Sequence, residues 1–153
     1  MCSDLLLSHP EPQNLHIVPT ERDGTDNLAL SSRNAYLNPE ERKVANTLYR
    51  ALSAAKEGWE SGLSKSECVA RSEEFVESVR AKAGVEMRLD YVELNDSDSL
   101  EAVGDDETEV EYRTRPVLLS GALWVGRTRL IDNLILGDGA LLGILDPHVQ
   151  VEI

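Results

Sequence analysis

The stretch VLLSGALWVGRTRLIDNLIL, residues 117–136, decides the fold. Residues 117–125 form a nearly continuous apolar run, which predicts a strand buried in the core. Gly126-Arg127 is a two-residue turn signal, and residues 128–136 return as a second strand. The stretch therefore predicts an antiparallel hairpin.

A third strand is predicted upstream of this hairpin. From Met87 to Tyr91 apolar and polar residues alternate strictly, and the strand continues through Leu94, as a half-buried strand does. Residues 98–103 are expected to form one short helical turn. The acidic residues around and after them are expected to form a solvated loop.

The first of two predicted helices has a clear start. Asn38 is a natural N-cap, Pro39 suits the first helical position, and Glu41 completes a capping box. The apolar stripe of this helix consists of Val44, Leu48, Leu52 and Ala55. Gly58 is expected to end it.

The second helix is predicted from another capping box, which runs from Ser64 to Glu67. Gly84 is expected to end this helix. Its apolar stripe consists of Val69, Phe75, Val76 and Val79. Together these elements predict an α+β fold in which two helices pack on a small antiparallel sheet.

Composition limits the class of protein. The 153 residues are 41% hydrophobic and 28% charged, as in a globular domain, and the net charge of −13 argues against a nucleic-acid partner. Eight of the acidic residues lie in residues 96–111, and an acidic protein-interaction module there is an alternative that rests on composition alone. No apolar run reaches the roughly 18 residues of a membrane span, and the two cysteines show no disulfide framework. We therefore expect a cytoplasmic protein.

Few residues outside one loop suggest chemistry. His9, His16 and His148 form no His-x-x-His pair, and no cluster of ligands predicts a metal site. Arg129 and Asp132 are three residues apart, which places them on opposite faces of a strand. We therefore expect each of these two to bond to neighbouring loops in a structural role.

The stretch LALSSRNAYLNPEER, residues 28–42, offers the candidate site. Ser31, Ser32 and Arg33 form a flexible polar loop ahead of the first helix, and residues 21–27 read as a second mobile loop. Hydroxyls and a guanidinium fork suit the oxygens of a bound anion. On residue types alone, an ordinary polar loop remains the more frequent interpretation.

The whole stretch closely resembles the signature of the pantothenate synthetase (pantoate–β-alanine ligase) family, Asp-Gly-Leu-Ala-Met/Leu-Ser-Ser-Arg-Asn-x-Tyr-Leu followed by Glu-x-x-Arg. Other segments resemble family motifs in the same order. These segments are Met1 to Leu5, Ile17 to Thr20, Tyr91 to Glu101 and Ala122 to Asn133.

The resemblance implies a domain organisation. Family members carry a Rossmann-like nucleotide-binding domain of the class I aminoacyl-tRNA-synthetase type, followed by a smaller α+β lid. Residues 1–27 would be a remnant of the nucleotide-binding domain with a connecting loop, and residues 28–136 would be the lid, with an ATP-contacting loop at 28–34. Residues 137–153 remain an unassigned tail.

The resemblance also implies an activity. Members condense pantoate and β-alanine to pantothenate through a pantoyl-adenylate, consuming ATP and releasing AMP and pyrophosphate; Mg²⁺ is expected to accompany ATP. Leu30, Ser31, Ser32 and Arg33 would close over ATP, with the hydroxyls on phosphate oxygens and the guanidinium on the departing pyrophosphate. Glu21 stands where a small apolar residue contacts the nucleotide through its backbone. Asn27 stands where glycine is usual, and asparagine tolerates left-handed backbone.

Other family motifs do not occur in residues 1–153, notably His-x-Gly-His and Gly-Lys-x-Asp. We therefore expect the isolated chain to be inactive and any homodimer to form only through the other domain. The alternative is a non-catalytic partner-binding domain that descends from the ligase.

Overall fold

The computed structural model describes residues 20–97, 99–105 and 115–137. Residues 15–18, whose sequence Leu-His-Ile-Val predicts a short strand, lie outside these ranges. So do all three histidines, the tail beyond residue 137 and part of the acidic stretch. The helices are a 3-10 helix Ser32–Tyr36, α1 (Pro39–Val44), α2 (Thr47–Ser61) and α3 (Lys65–Ala83). The strands are β1 (Met87–Asp96), β2 (Val117–Val125) and β3 (Thr128–Leu136).

The three strands form one antiparallel sheet in the order β1-β2-β3, which confirms the predicted α+β architecture. The β2–β3 hairpin turns at Gly126-Arg127 as predicted, with Val125 opposite Thr128 and Gly121 opposite Asp132. Helices α2 and α3 pack against each other and cover one face of the sheet.

The predicted strict alternation of β1 is wrong at its centre. The pairing register shifts between Leu89 and Tyr91, which is a β-bulge. Met87 and Leu89 face the core before the bulge, whereas Val92 and Leu94 do so after it. Because of the extra residue, odd-numbered residues face the core before the bulge and even-numbered residues face it afterwards. The Tyr91 side chain is therefore exposed on the other face of the sheet.

The first predicted helix has the expected start but is divided in two. The Asn38 side chain accepts from the backbone N–H groups of Glu40 and Glu41, and the Glu41 carboxylate accepts from the Asn38 N–H, so the capping box is confirmed. Helix α1 ends at Val44, and α2 begins at Thr47.

The prediction that Gly58 ends the helix is wrong, because α2 continues to Ser61 and ends at Gly62 in left-handed conformation (φ 101°). Gly58 instead lies buried where α2 meets α3. A Cβ there would lie 3.2 Å from Leu63 Cδ1 and 3.4 Å from Cys68 Sγ. Its small size therefore serves close helix packing.

Helix α3 has the predicted capping box and the predicted end, at Gly84 with φ 63°. The buried face of α3 also contains two residues outside the predicted stripe, Cys68 and Ser72. The Ser72 hydroxyl donates to the Ala51 carbonyl at 2.8 Å, so a polar residue is satisfied inside the core.

The helical turn predicted at residues 98–103 is not formed by the described residues of this segment. Ala102 instead makes an antiparallel bridge with Asn95, and Asp96 N–H donates to the Glu101 carbonyl. Leu100 closes this turn at φ 61°, a left-handed conformation that costs a residue with a Cβ atom about 1–2 kcal/mol.

Replacing Leu100 with glycine is therefore expected to raise the free energy of unfolding by about 0.5–1 kcal/mol. Relief of the left-handed conformation exceeds the added entropy of glycine in the unfolded chain. Urea unfolding followed by circular dichroism measures the change. The exposed Leu30, which has no positive φ, is the matched control: Leu30→Gly should give no such gain.

Gly121 lies at the centre of β2, where α2 crosses the sheet. A Cβ at this position would lie 3.1 Å from both Leu48 Cδ1 and Leu52 Cδ2, and 3.2 Å from the Tyr91 carbonyl oxygen. The glycine therefore lets α2 approach the sheet closely. Within the described ranges, no helix is long and apolar enough to cross a membrane.

Candidate functional site

The segment before the signature stretch is a hydrogen-bonded hairpin, whereas the sequence predicted a mobile loop. Arg22 and Ala29 form an antiparallel bridge, and Leu30 N–H donates to the Glu21 carbonyl at 2.9 Å. Asn27 sits at the turn with φ 61°, as expected for the position where it replaces glycine. We call residues 21–30 the entry hairpin.

Helix α1 holds the tip of the entry hairpin through Arg42. Its guanidinium donates to Asp26 and, at 2.9 Å, to Asp23. The hydrogen bond from Arg42 lowers the pKa of Asp26 below its ordinary value, while hydrogen bonds from Thr25 are the main cause of the lowered pKa of Asp23. The tip is thus fixed to the start of the helix that follows the signature.

A buried ion pair holds the base of the entry hairpin to the sheet. Arg22 donates from both terminal nitrogens to the two carboxylate oxygens of Asp132 on β3, at 2.7 and 2.9 Å. The two side chains are only 16% and 5% exposed. The Arg22 guanidinium also lies 4.3 Å from the ring centroid of Tyr49 on α2 and donates to the Asn27 carbonyl.

The expectation that Arg129 and Asp132 do not pair is confirmed. Asp132 bonds to the entry hairpin, and Arg129 bonds to Asp90 across the sheet, with its Nη2 2.7 Å from a carboxylate oxygen. Arg129 lowers the pKa of Asp90. The partner of Asp132 is a loop residue as expected, while the partner of Arg129 lies on a strand.

Residues 28–34, which we call the signature loop, are partly helical, whereas the sequence predicted a flexible loop. Residues 32–36 form the 3-10 helix, and the Ser31 hydroxyl oxygen accepts from Arg33 N–H at 3.2 Å. The Asn34 side-chain amide donates to the Ala29 carbonyl at 3.0 Å, which ties this helix to the entry hairpin. The side chains of Ser31, Ser32 and Arg33 remain exposed, as does Leu30 at 58%.

A shallow cleft separates the signature loop from β3. Ser31, Arg33 and Asn34 line one wall, and Arg129 and Ile131 line the other. Among the described residues, none makes a hydrogen bond or ion pair with the Arg33 guanidinium. The wall that carries Arg33 therefore presents an uncompensated positive charge beside a hydroxyl, which suits an anion.

The structure brings only some of the predicted site residues together. Ser31 and Arg33 share the cleft, while Leu30 and Ser32 are exposed beside it and do not line it. The exposed Glu21 uses its carbonyl for the entry hairpin. No group of three His, Cys, Asp or Glu side chains in the described part of the chain could hold a metal ion.

Sequence reasoning missed Arg22 and Asn34 as supports of the site. Asn34 lies within the signature string, so its position was a signal that could have been used. Arg22 and Asp132 are separated by 110 residues, and their pairing has no periodic signal in a single sequence.

The Asp26–Arg42 ion pair is expected to stabilise the folded protein less in acid than at neutral pH. Because the pKa of Asp26 is lower in the folded protein than in the unfolded chain, its contribution is present above the ordinary value of 3.8 and is lost as the pH falls below it. Asp26→Asn should therefore cost roughly 0.5–1 kcal/mol at pH 7 and much less at pH 3, a modest value because the carboxylate is 26% exposed.

Urea unfolding of Asp26→Asn and wild type at pH 3, 5 and 7 measures this difference. Glu74→Gln, which removes a charge from the exposed face of α3, is the control and should give no comparable pH-dependent loss. If Asp26→Asn lowers the free energy of unfolding equally at pH 3 and pH 7, the ionised Asp26 carboxylate does not have the stabilising role assigned to it.

Comparison with known proteins identifies the family of the chain. A family model described as pantoate-beta-alanine ligase matches residues 1–135. The pantothenate synthetase of Moorella thermoacetica is 40% identical over 125 residues, covering 82% of this chain and 40% of that protein. The pantothenate synthetase of Thermosipho africanus is 43% identical over 111 residues, covering 72% and 36%.

A solved structure gives the same result. The crystal structure of pantothenate synthetase from Thermus thermophilus superimposes with a TM-score of 0.59 at 39% identity, covering 76% of this chain and 37% of that one. The chain thus spans about two fifths of the length of the curated relatives it matches. Because the family model covers most of the chain, the chain belongs to the pantoate–β-alanine ligase family.

Proposed function

We propose that this chain supplies the ATP-closing lid of a pantothenate synthetase. In the proposed reaction the pantoate carboxylate attacks the α-phosphorus of ATP and pyrophosphate leaves. The β-alanine amine then attacks the acyl carbon of the pantoyl-adenylate, giving pantothenate and AMP. The observation that carries the proposal is the unpartnered Arg33 guanidinium beside Ser31, in the signature loop of a chain from this family.

The residues of the loop have separate proposed roles. Arg33 stabilises the charge that develops on the departing pyrophosphate, because a preorganised donor acts most strongly where charge appears. The hydroxyls and backbone N–H groups of Ser31 and Ser32 bind phosphate oxygens. Leu30 closes over ATP with them, and Glu21 contacts the nucleotide through its backbone. Mg²⁺ bound to ATP as part of the substrate would offset part of the phosphate charge.

The domain division is part of the proposal. Residues 1–27 belong with the nucleotide-binding domain and its connection, and residues 28–136 form the lid. Adenylation requires pantoate, ATP and the stabilising donors to be held together. We therefore expect residues 1–153 alone to show no ligase turnover.

A hybrid enzyme tests the proposal. Residues 20–136 would replace the matching part of the Thermus thermophilus pantothenate synthetase, and AMP formation would be measured with ATP, pantoate and β-alanine. We expect turnover that requires all three substrates. The isolated chain at the same concentration is the control.

A hybrid that folds, as judged by circular dichroism and cooperative thermal unfolding, but forms no AMP would contradict the proposal. That outcome would favour a non-catalytic domain that has kept the fold and lost the function of the loop.

A further inference from the structure

The Arg22–Asp132 ion pair occupies a central position between the sheet and the signature loop. Asp132 belongs to β3, whose backbone is held by the pairing with β2. Arg22 belongs to the entry hairpin, and its guanidinium also stacks on Tyr49 of α2. A single side chain therefore joins the sheet, a helix and the hairpin.

A short chain of contacts runs from this pair to Arg33. The backbone of Arg22 bridges Ala29, and the adjacent carbonyl of Glu21 accepts from Leu30 N–H. The Ala29 carbonyl accepts from the Asn34 side chain, and Arg33 lies between Leu30 and Asn34. Both ends of the signature loop are thus attached to the backbone that Arg22 holds.

The geometry of the pair is suited to positioning. Two parallel N–H···O bonds from a planar guanidinium fix orientation as well as distance, which a lysine ammonium does not do. Arg22 itself does not line the cleft, so it has no direct contact to offer a ligand there.

We propose that the Arg22–Asp132 pair is a positioning element that sets Ser31 and Arg33 in the geometry that binds a pyrophosphate group. The inference rests on the proposed function, because it assumes that the signature loop binds phosphate. It goes beyond that function by assigning the geometry of the loop to an ion pair whose arginine lies outside the cleft and whose aspartate lines the β3 wall of the cleft.

The test is a titration of inorganic pyrophosphate, without metal, into the ¹⁵N-labelled chain of 153 residues at low ionic strength. Arg22→Met is expected to shift the amide signals of Ser31, Ser32 and Arg33 before any ligand is added. It should also weaken pyrophosphate binding by the folded protein about tenfold, equivalent to 1.4 kcal/mol. Arg22→Lys should recover only part of the affinity.

The matched control is Arg80→Met, which removes the same charge from an exposed ion pair with Glu77 on α3. It should leave both the amide signals and the affinity unchanged. If Arg22→Met does not fold, Asp132→Asn provides the second variant, because it keeps the shape and one acceptor. The same shifts and a smaller loss of affinity are expected from it.

Two results would overturn the inference in distinguishable ways. If Arg33→Ala abolishes binding while folded Arg22→Met or Asp132→Asn binds as wild type, the positioning role is wrong and the proposed function stands. If wild type shows no binding that depends on Arg33, the proposed phosphate-binding role of the loop fails and the positioning role fails with it.

Discussion

Arg33→Ala is expected to lower the turnover of the hybrid ligase by about 10²–10³-fold, the usual cost of removing one preorganised donor to a developing negative charge. The guanidinium is exposed on the cleft wall and bonds to no described residue, so its loss leaves no buried partner unsatisfied. The variant should therefore fold normally. Because the charge it opposes develops during adenylation, turnover should fall more than the apparent affinity for ATP.

The measurement is steady-state AMP formation at saturating ATP, pantoate and β-alanine. Arg127→Ala is the matched control, since Arg127 is an exposed arginine at the β2–β3 turn and lies outside the cleft. It should retain the turnover of the unmodified hybrid. Arg33→Lys should recover little, because an ammonium cannot present two parallel donors to a phosphate. Equal turnover of Arg33→Ala and the unmodified hybrid would remove Arg33 from the mechanism.

Local sequence signals were sufficient for most of the secondary structure. The two capping boxes at Asn38 and Ser64 mark real helix starts, because each uses side chains within three residues of one another. The Gly126-Arg127 turn is equally local. Such features depend on few neighbours, so they can be recognised before any tertiary contact is known.

The errors arise where tertiary packing decides. Glycine is common at helix ends, but Gly58 lies inside α2, where its small size allows close contact with α3. The helix ends at Gly62 instead. The bulge between Leu89 and Tyr91 lets apolar residues of both halves of β1 face the core. The alternation of apolar and polar residues does not indicate the position of this bulge. These features depend on residues distant in sequence.

The candidate site divides in the same way. The signature string located Ser31 and Arg33, which line the cleft, from adjacent residues. The support beneath them comes from Arg22 and Asp132, whose pairing requires the entry hairpin and β3 to be brought together by the fold. A single sequence can therefore indicate the groups of such a site while leaving unknown the contacts that orient them.

Gly121→Val is expected to lower the free energy of unfolding by about 3 kcal/mol, the upper part of the usual range for overpacking a core. Valine favours strands by up to about 1 kcal/mol, but that preference acts against a larger steric cost here. Leu48 and Leu52 could move by rotating their side chains. The Tyr91 carbonyl oxygen, 3.2 Å from the added Cβ, belongs to the paired backbone of β1 and can move only by disturbing the sheet.

Urea unfolding at pH 7 measures the loss, and Gly121→Ala should show an intermediate loss of about 1–2 kcal/mol because it adds only the Cβ. Ser120→Ala is the matched control, since Ser120 is the neighbouring residue on the face of β2 away from the helices and is not fully buried. It should change stability by less than about 0.5 kcal/mol. If Gly121→Val is as stable as wild type, then α2 can withdraw from the sheet at little cost. Tyr49 on α2 would then be a poor support for Arg22, since a helix that moves freely cannot hold the guanidinium stacked on it.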